Sequence, residues 1–267
     1  MSVILKKKGN LQYFCAEGIG ASHCFTTRLG GVSQGFLSSM NIGTSRGDDP
    51  ENVLKNYEIL GNALGFDPHN AVLSRQVHSD IVRVVGKENR GAGLYTAHLE
   101  DCDALVTREK GLALVIFTAD WTPILFWDPV TGAVGGAHAG WRGTAKAIAA
   151  RTVETMTREF GSRPEDIRAA IGPNIGGCHF ETNLDVPEAM RKAFGPEVEA
   201  FIRPRGEKFY LDLKQINAMV LRRAGVRHIE ISDACTCCSP ELFWSHRILG
   251  QNRGSEGAVI VCGEACE

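Results

Sequence analysis

The chain has 267 residues, 43% of them hydrophobic, enough to bury a sizeable core in one large domain or two small ones. Its 29 basic and 31 acidic residues leave a formal net charge of -2, which argues against a general electrostatic grip on nucleic acid. No apolar run reaches the roughly 18 residues that a membrane span needs, and the opening MSVILKKKGN places a short apolar stretch ahead of its lysines, the reverse of a signal peptide, so a cytoplasmic location is expected.

In chain order, His23–Thr27 reads as a short strand and Arg28-Leu29-Gly30-Gly31 as a turn, with Arg28 either a surface charge or a ligand contact. Asn41-Ile42-Gly43 and Gly47–Pro50 continue in loop. Asp49 followed by Pro50 predicts a helix start, Val53, Leu54, Tyr57, Leu60 and Leu64 recur at helical spacing, and Gly65 ends the run. Ala71–Val77 reads as a strand running into His78, Ile81–Val85 as a second, and residues 86–100 as a polar loop. Asp101 and Asp103 precede a strand at Ala104–Thr107; they suit a carboxylate pair, a metal site or turn caps.

The central stretch is Leu112 to Ala145. Leu112–Phe117, Ile124–Trp127 and Ala133–Ala137 are short, apolar and bounded by turn residues, which favours buried strands. Polar side chains sit at the breaks: Asp120 after the first strand, His138 and Arg142 after the third. Such residues on a hydrophobic frame suit a site, although a hairpin whose end carries a histidine accounts for His138 equally well. Gly140–Gly143 resembles an anion-accepting turn ahead of a helix over Thr144–Phe160, closed by Gly161.

Ile167–Ile171 reads as a strand leading into the loop Asn174–Cys178. Cys178 and His179 are adjacent, and neighbours on a strand point to opposite faces, which argues against a Cys–His nucleophile pair. Helices are predicted at Asp185–Phe194 and Leu213–Ala224, and a strand at Arg227–Ser232. Nine cysteines with no export signal are expected to be mostly reduced thiols. Cys235, Cys237 and Cys238 read as packed thiols or as metal ligands together with Cys262 and Cys266, although the spacing is not that of a zinc knuckle. No repeat or linker interrupts the chain, so one domain of mixed α and β is expected over residues 1–267. His78 and His138 invite a zinc reading, with Asp120 the local candidate for a third ligand.

The motifs FTTRLGGVS (Phe25–Ser33), QVHSD (Gln76–Asp80), TADWTPILFWDP (Thr118–Pro129), GAHAGWRGT (Gly136–Thr144), IGPNIGGCHFE (Ile171–Glu181) and FWSHR (Phe243–Arg247) resemble, in this order and over nearly the whole chain, the laccase-domain or polyphenol oxidase family, also called the purine nucleoside phosphorylase or peptidoglycan editing factor family. The resemblance implies an α+β single domain, layered α/β/β/α with mixed sheets. It implies zinc held by His78, a cysteine and His138, but Trp121 stands at the cysteine position. Indole offers one N–H donor and no lone pair for a metal, so zinc is expected to be weak or absent unless Asp120, Cys102, Cys178 or the substrate supplies a ligand. The implied chemistry is purine nucleoside phosphorolysis, with adenosine deamination and methylthioadenosine cleavage as companions and a peptidoglycan-editing role in bacterial members. His78, Asp120, His138 and Arg142 are then the expected catalytic residues, and Arg28, Asn41, Trp121 and Cys178 the expected substrate contacts. Arg28 and Arg142 are the guanidinium candidates for phosphate. A fold that binds a nucleoside or cell-wall precursor without chemistry is the alternative. Copper-dependent polyphenol oxidation ranks last, because clustered coppers demand clustered histidines and the eight here are scattered.

Overall fold

The structure, a computed structural model, describes residues 3–263. Two six-stranded mixed sheets stack face to face. The first runs, in spatial order, Val3–Lys8, Leu11–Ala16, His23–Thr26, Glu256–Val261, Ala113–Thr118 and Ala71–Leu73; the second runs His228–Ile231, Arg168–Ile171, Thr122–Trp127, Val134–Ala139, Ala104–Thr107 and Val82–Val84. Pairing is mainly antiparallel. The parallel exceptions are Ala71–Leu73 beside Ala113–Thr118, Val82–Val84 beside Ala104–Thr107, and Arg168–Ile171 beside His228–Ile231. A small third sheet joins Glu181–Thr182, Lys208–Leu211 and Ile202–Arg205.

The period-two geometry of strands explains why the central segments read as unbroken apolar runs. Leu114 and Ile116 face the space between the sheets, while Ala113 and Val115 face outward onto the helix Pro50–Leu64. In the second sheet Leu125 faces inward, and Ile124 and Phe126 face the helices Ile148–Phe160 and Leu213–Arg223. Both faces are therefore apolar, and the layers are helix, sheet, sheet, helix, the arrangement expected. The two sheets share the core between them.

The helix Pro50–Leu64 has its expected ends: the Asp49 carboxylate accepts from the Glu51 N–H, and Gly65 closes it at φ 76°. The helix predicted over 144–160 is instead two, Trp141–Ala145 and Ile148–Phe160, because Ala147 takes a left-handed φ of 57° between them. The strand expected at Ala71–Val77 stops at Leu73. Ala113–Thr118 and Thr122–Trp127 are not a hairpin within one sheet: the chain crosses from one sheet to the other at Ala119–Trp121, with Asp120 at φ 76° making the corner. Among the described residues no helix is long and apolar enough to cross a membrane.

Candidate active site

The two histidines singled out above come together around one carboxylate. His138 lies in the strand Val134–Ala139 and is 2% exposed; its Nδ1 sits 2.7 Å from Asp103 Oδ1. Asp103 also accepts from the N–H groups of Val77, His78 and Ser79, at 3.2, 3.0 and 2.7 Å, and from Ser79 Oγ at 2.6 Å. Three successive N–H groups converge on one carboxylate because His78 adopts a left-handed φ of 60°. Burial works to raise the Asp103 pKa, but the hydrogen bonds from His138 and Ser79 overcome it and hold it at about 2. With Asp103 ionised, Nδ1 of His138 is the donating nitrogen. Its Nε2 is buried and has no hydrogen-bond partner.

His78 and His138 stand 5.0 Å apart between ring centroids. The Trp121 indole is 4.8 Å from His78 and 5.9 Å from His138, edge-on to both. Gly140 permits this crowding: a Cβ there would come within 3.0 Å of His78 Nδ1 and 3.4 Å of Trp121 Cε3. Burial, then the neighbouring His138, then Arg142 push the His78 pKa below its ordinary value, so His78 is neutral near pH 7. The Gln76 side chain fixes this segment to the first sheet, its Oε1 accepting from Phe117 N–H at 2.7 Å and its Nε2 donating to Phe117 O at 2.9 Å.

These rings form one wall of a pocket of about 390 Å³, within the usual span for small-molecule sites. Arg46, Arg75 and Arg253 also line it, with His98 from the polar loop. Arg46 Nε donates to Ser255 Oγ at 3.1 Å. Burial and the facing Arg46 lower the Arg253 pKa to about 10. Arg46 and Arg253, near enough for their charges to oppose one another, mark a place where an anion is favoured; Arg75, also lining the pocket, is paired with Asp101 at 3.3 Å.

Other expected residues lie elsewhere. Asp120 is turned away from the histidines: its carboxylate accepts from Thr236 Oγ1 at 2.5 Å, Ser245 Oγ at 2.9 Å and Arg247 N–H at 2.7 Å, so it pins the inter-sheet corner to two distant loops. Asn41 is buried and bonded to Asp48, Gly43 and the Ser255 N–H, a loop anchor. Arg28 stacks over Trp244 and donates to Pro240 O and Ser38 O. Arg142 is exposed over Trp141, 4.2 Å from its ring, and touches this site only through its charge. Cys102 packs in the core between the sheets. Cys178 is not on a strand with His179; both lie in a turn, where the two side chains converge at 3.2 Å and meet Cys235 and Cys238. Those four could hold a metal ion. Cys262 packs between the sheets, and Cys266 lies outside the described residues.

Sequence reasoning missed the orienting role of Asp103 and the three pocket arginines. Asp103 sits beside Cys102 in a segment that also reads as a turn cap; Arg46 and Arg253 lie in loops without periodicity.

Residues 22–263 match the family model described as multi-copper polyphenol oxidoreductase laccase. The chain belongs to that family. It is 38% identical over 246 residues, 90% of this chain and 89% of the relative, to the purine nucleoside phosphorylase YlmD of Geobacillus stearothermophilus. It is 37% identical over 245 residues, covering 90% of this chain and 93% of the relative, to adenosine deaminase RL5 from an unknown prokaryotic organism. The crystal structure of YlmD from Geobacillus stearothermophilus superposes with a TM-score of 0.92 at 36% identity, covering 98% of this chain and all of that one.

The zinc triad that the family resemblance implies does not fit the donors at this laccase-family pocket. His138 Nε2 is free to bind and His78 is near it, but the neighbouring Trp121 indole offers no lone pair and Asp120 is committed elsewhere. Among the described residues, no group of three or more metal donors includes either histidine.

Proposed function

We propose that the chain is a purine nucleoside phosphorylase acting in the cytoplasm, with Arg46, Arg75 and Arg253 holding phosphate and the Asp103–His138 pair managing the proton. The observation that carries this reading is the pairing, in one pocket, of a buried unpartnered imidazole nitrogen with three guanidinium groups. A phosphate oxygen bonds to C1′ of the sugar as the bond from C1′ to the purine nitrogen breaks, and the departing base takes up a proton. His138 lines the pocket, and with Nδ1 donating to Asp103 its Nε2 is the accepting nitrogen: it takes the O–H proton of the attacking phosphate and passes it to the departing base, while Asp103 fixes ring orientation. His78, neutral near pH 7, offers a hydrogen bond without adding positive charge beside the oxocarbenium-like sugar. Trp121, half-buried, presents an aromatic edge and face for the base. No step is routed through a metal.

Trp121 supports a second reading, a family member that binds a nucleoside without turnover, because the residue that replaces the ligand cysteine cannot coordinate. One experiment separates the two: phosphate-dependent release of free base from adenosine and inosine by the chain and by Trp121→Cys. Base and sugar phosphate formed by the unaltered chain support phosphorolysis. Nucleoside binding with turnover in Trp121→Cys alone supports the second reading. Conversion of adenosine to inosine with no need for phosphate overturns both and assigns a deaminase.

A further inference from the structure

Away from the pocket, four soft donors meet at the surface. Cys178 and His179 lie in the turn that follows the strand Arg168–Ile171, and Cys235 and Cys238 in a turn some sixty residues on. Cys178 Sγ is 3.7 Å from Cys238 Sγ. His179 Nδ1 lies 3.2 Å from Cys178 Sγ, 3.4 Å from Cys238 Sγ and 3.7 Å from Cys235 Sγ. All four ligand atoms fall within 4.8 Å of one another.

We infer that Cys178, His179, Cys235 and Cys238 form a structural zinc site with a complete protein ligand set. Zinc–sulfur bonds of about 2.3 Å and zinc–nitrogen bonds of about 2.0 Å in a tetrahedron place sulfurs roughly 3.8 Å apart and nitrogen roughly 3.5 Å from sulfur. The three nitrogen–sulfur separations and the Cys178–Cys238 separation given above lie close to those edges, and all pairs fall within 4.8 Å. A single S–H···N hydrogen bond would account for one of these contacts; one imidazole nitrogen within 3.7 Å of three sulfurs is what a shared ion requires. Three thiolates and one imidazole suit zinc by softness, and four protein donors leave no open position, so the role is to brace and not to activate water.

The surroundings are arranged as around a bound metal. The Gly176 N–H donates to Cys235 Sγ at 3.2 Å, a bond that steadies a thiolate. Arg247 holds the ligand turn by donating to His179 O at 3.2 Å and Glu181 O at 3.0 Å; Lys214 holds the other by donating to Ser232 O at 2.6 Å and Ala234 O at 2.8 Å. These two cations offset the net negative charge of zinc with three thiolates. Gly176 packs closely here: a Cβ on it would lie 3.2 Å from both Cys178 Sγ and Cys235 Cβ, tight enough that these cysteines would have to shift by a few tenths of an ångström. The ion would clamp two turns that both reach the Asp120 corner: Ile175 N–H donates to Asp120 O, and Thr236, next to Cys235, donates to its carboxylate.

The test is metal analysis of the reduced full-length chain, with cobalt(II) replacing zinc as a spectroscopic probe. The expected result is bound zinc that survives His138→Ala and is lost in Cys178→Ala/Cys238→Ala, a pair chosen because both side chains are exposed. Cobalt should give the absorption of a tetrahedral thiolate complex in the unaltered chain. Bound zinc should protect Cys178 and Cys238 from alkylation, a readout that needs no variant. Failure of the reduced chain to take up zinc or cobalt overturns the inference. So does uptake indifferent to the two cysteines, or recovery of a Cys178–Cys238 disulfide in place of metal. None of these outcomes depends on phosphorylase activity.

Discussion

Asp103 Oδ1 lies 2.7 Å from Nδ1 of His138, and the same carboxylate collects the N–H groups of residues 77–79 that hold His78 in its left-handed turn. One buried side chain thus sets the direction of both imidazoles. Asp103→Asn keeps the size but weakens both duties. Phosphorolysis should fall by about 10²–10⁴-fold in kcat, the range of a lost acid–base group, with KM for nucleoside little changed. Steady-state kinetics beside a circular dichroism spectrum check this; an unaltered kcat would remove Asp103 from the mechanism.

The pH dependence of stability has a defined sign. His78 binds a proton less readily folded than unfolded, because burial, His138 and Arg142 oppose its charge. Its contribution is fully present above the ordinary value of 6.5 and is lost as pH falls through that value toward the lower folded one. Asp103, at about 2 when folded against an ordinary 3.8, adds a separate loss as pH falls between those values. Urea unfolding at a series of pH values should show the upper decline in the unaltered chain and not in His78→Gln, with the lower one in both.

Arg46 and Arg253 line the same pocket and their charges oppose one another, a cost that the Glu256 and Asp120 carboxylates offset in part and that a bound anion would relieve further. Arg46→Ala should raise the KM for phosphate by roughly 10–100-fold, as expected for the loss of a charge-assisted hydrogen bond. KM for nucleoside should move far less. Equal rises in both would place Arg46 outside the phosphate contact.

Asp120 should behave as a structural residue. It is buried and accepts from Thr236, Ser245 and Arg247 at a left-handed corner. Asp120→Ala removes that carboxylate and strains the backbone, and should cost roughly 3–5 kcal/mol, the range for breaking a buried charged network. Chemical denaturation measures this directly. A stable Asp120→Ala chain without turnover would restore the catalytic reading of this residue.

Much of the fold was legible because two-sided burial leaves continuous apolar runs: Ala104–Thr107 is found at its predicted bounds, and Ala113–Thr118 and Thr122–Trp127 within two residues of theirs. What periodicity could not convey was which sheet each strand joins. A corner at Asp120 looks like any polar break in sequence, yet it sends the chain to a second sheet and aims the carboxylate away from His78. The convergence of His78 with His138 was legible through motifs. Asp103 was not, because its partners lie about 25 and 35 positions away and only tertiary closure brings them near. The same limit applies to Cys178 and His179, where a turn replaced the extended backbone that would have separated their side chains.

The strand Glu256–Val261 lies between His23–Thr26 and Ala113–Thr118, joining pieces that come from the first half of the chain. During synthesis those pieces emerge long before the segment that unites them. The first sheet therefore waits with two open edges until residues 256–261 leave the ribosome, and the Arg253–Ser255 wall of the pocket arrives in the same step. A nascent chain stalled before this point holds both histidines but no finished pocket, so ligand binding on the ribosome would report the insertion of one strand.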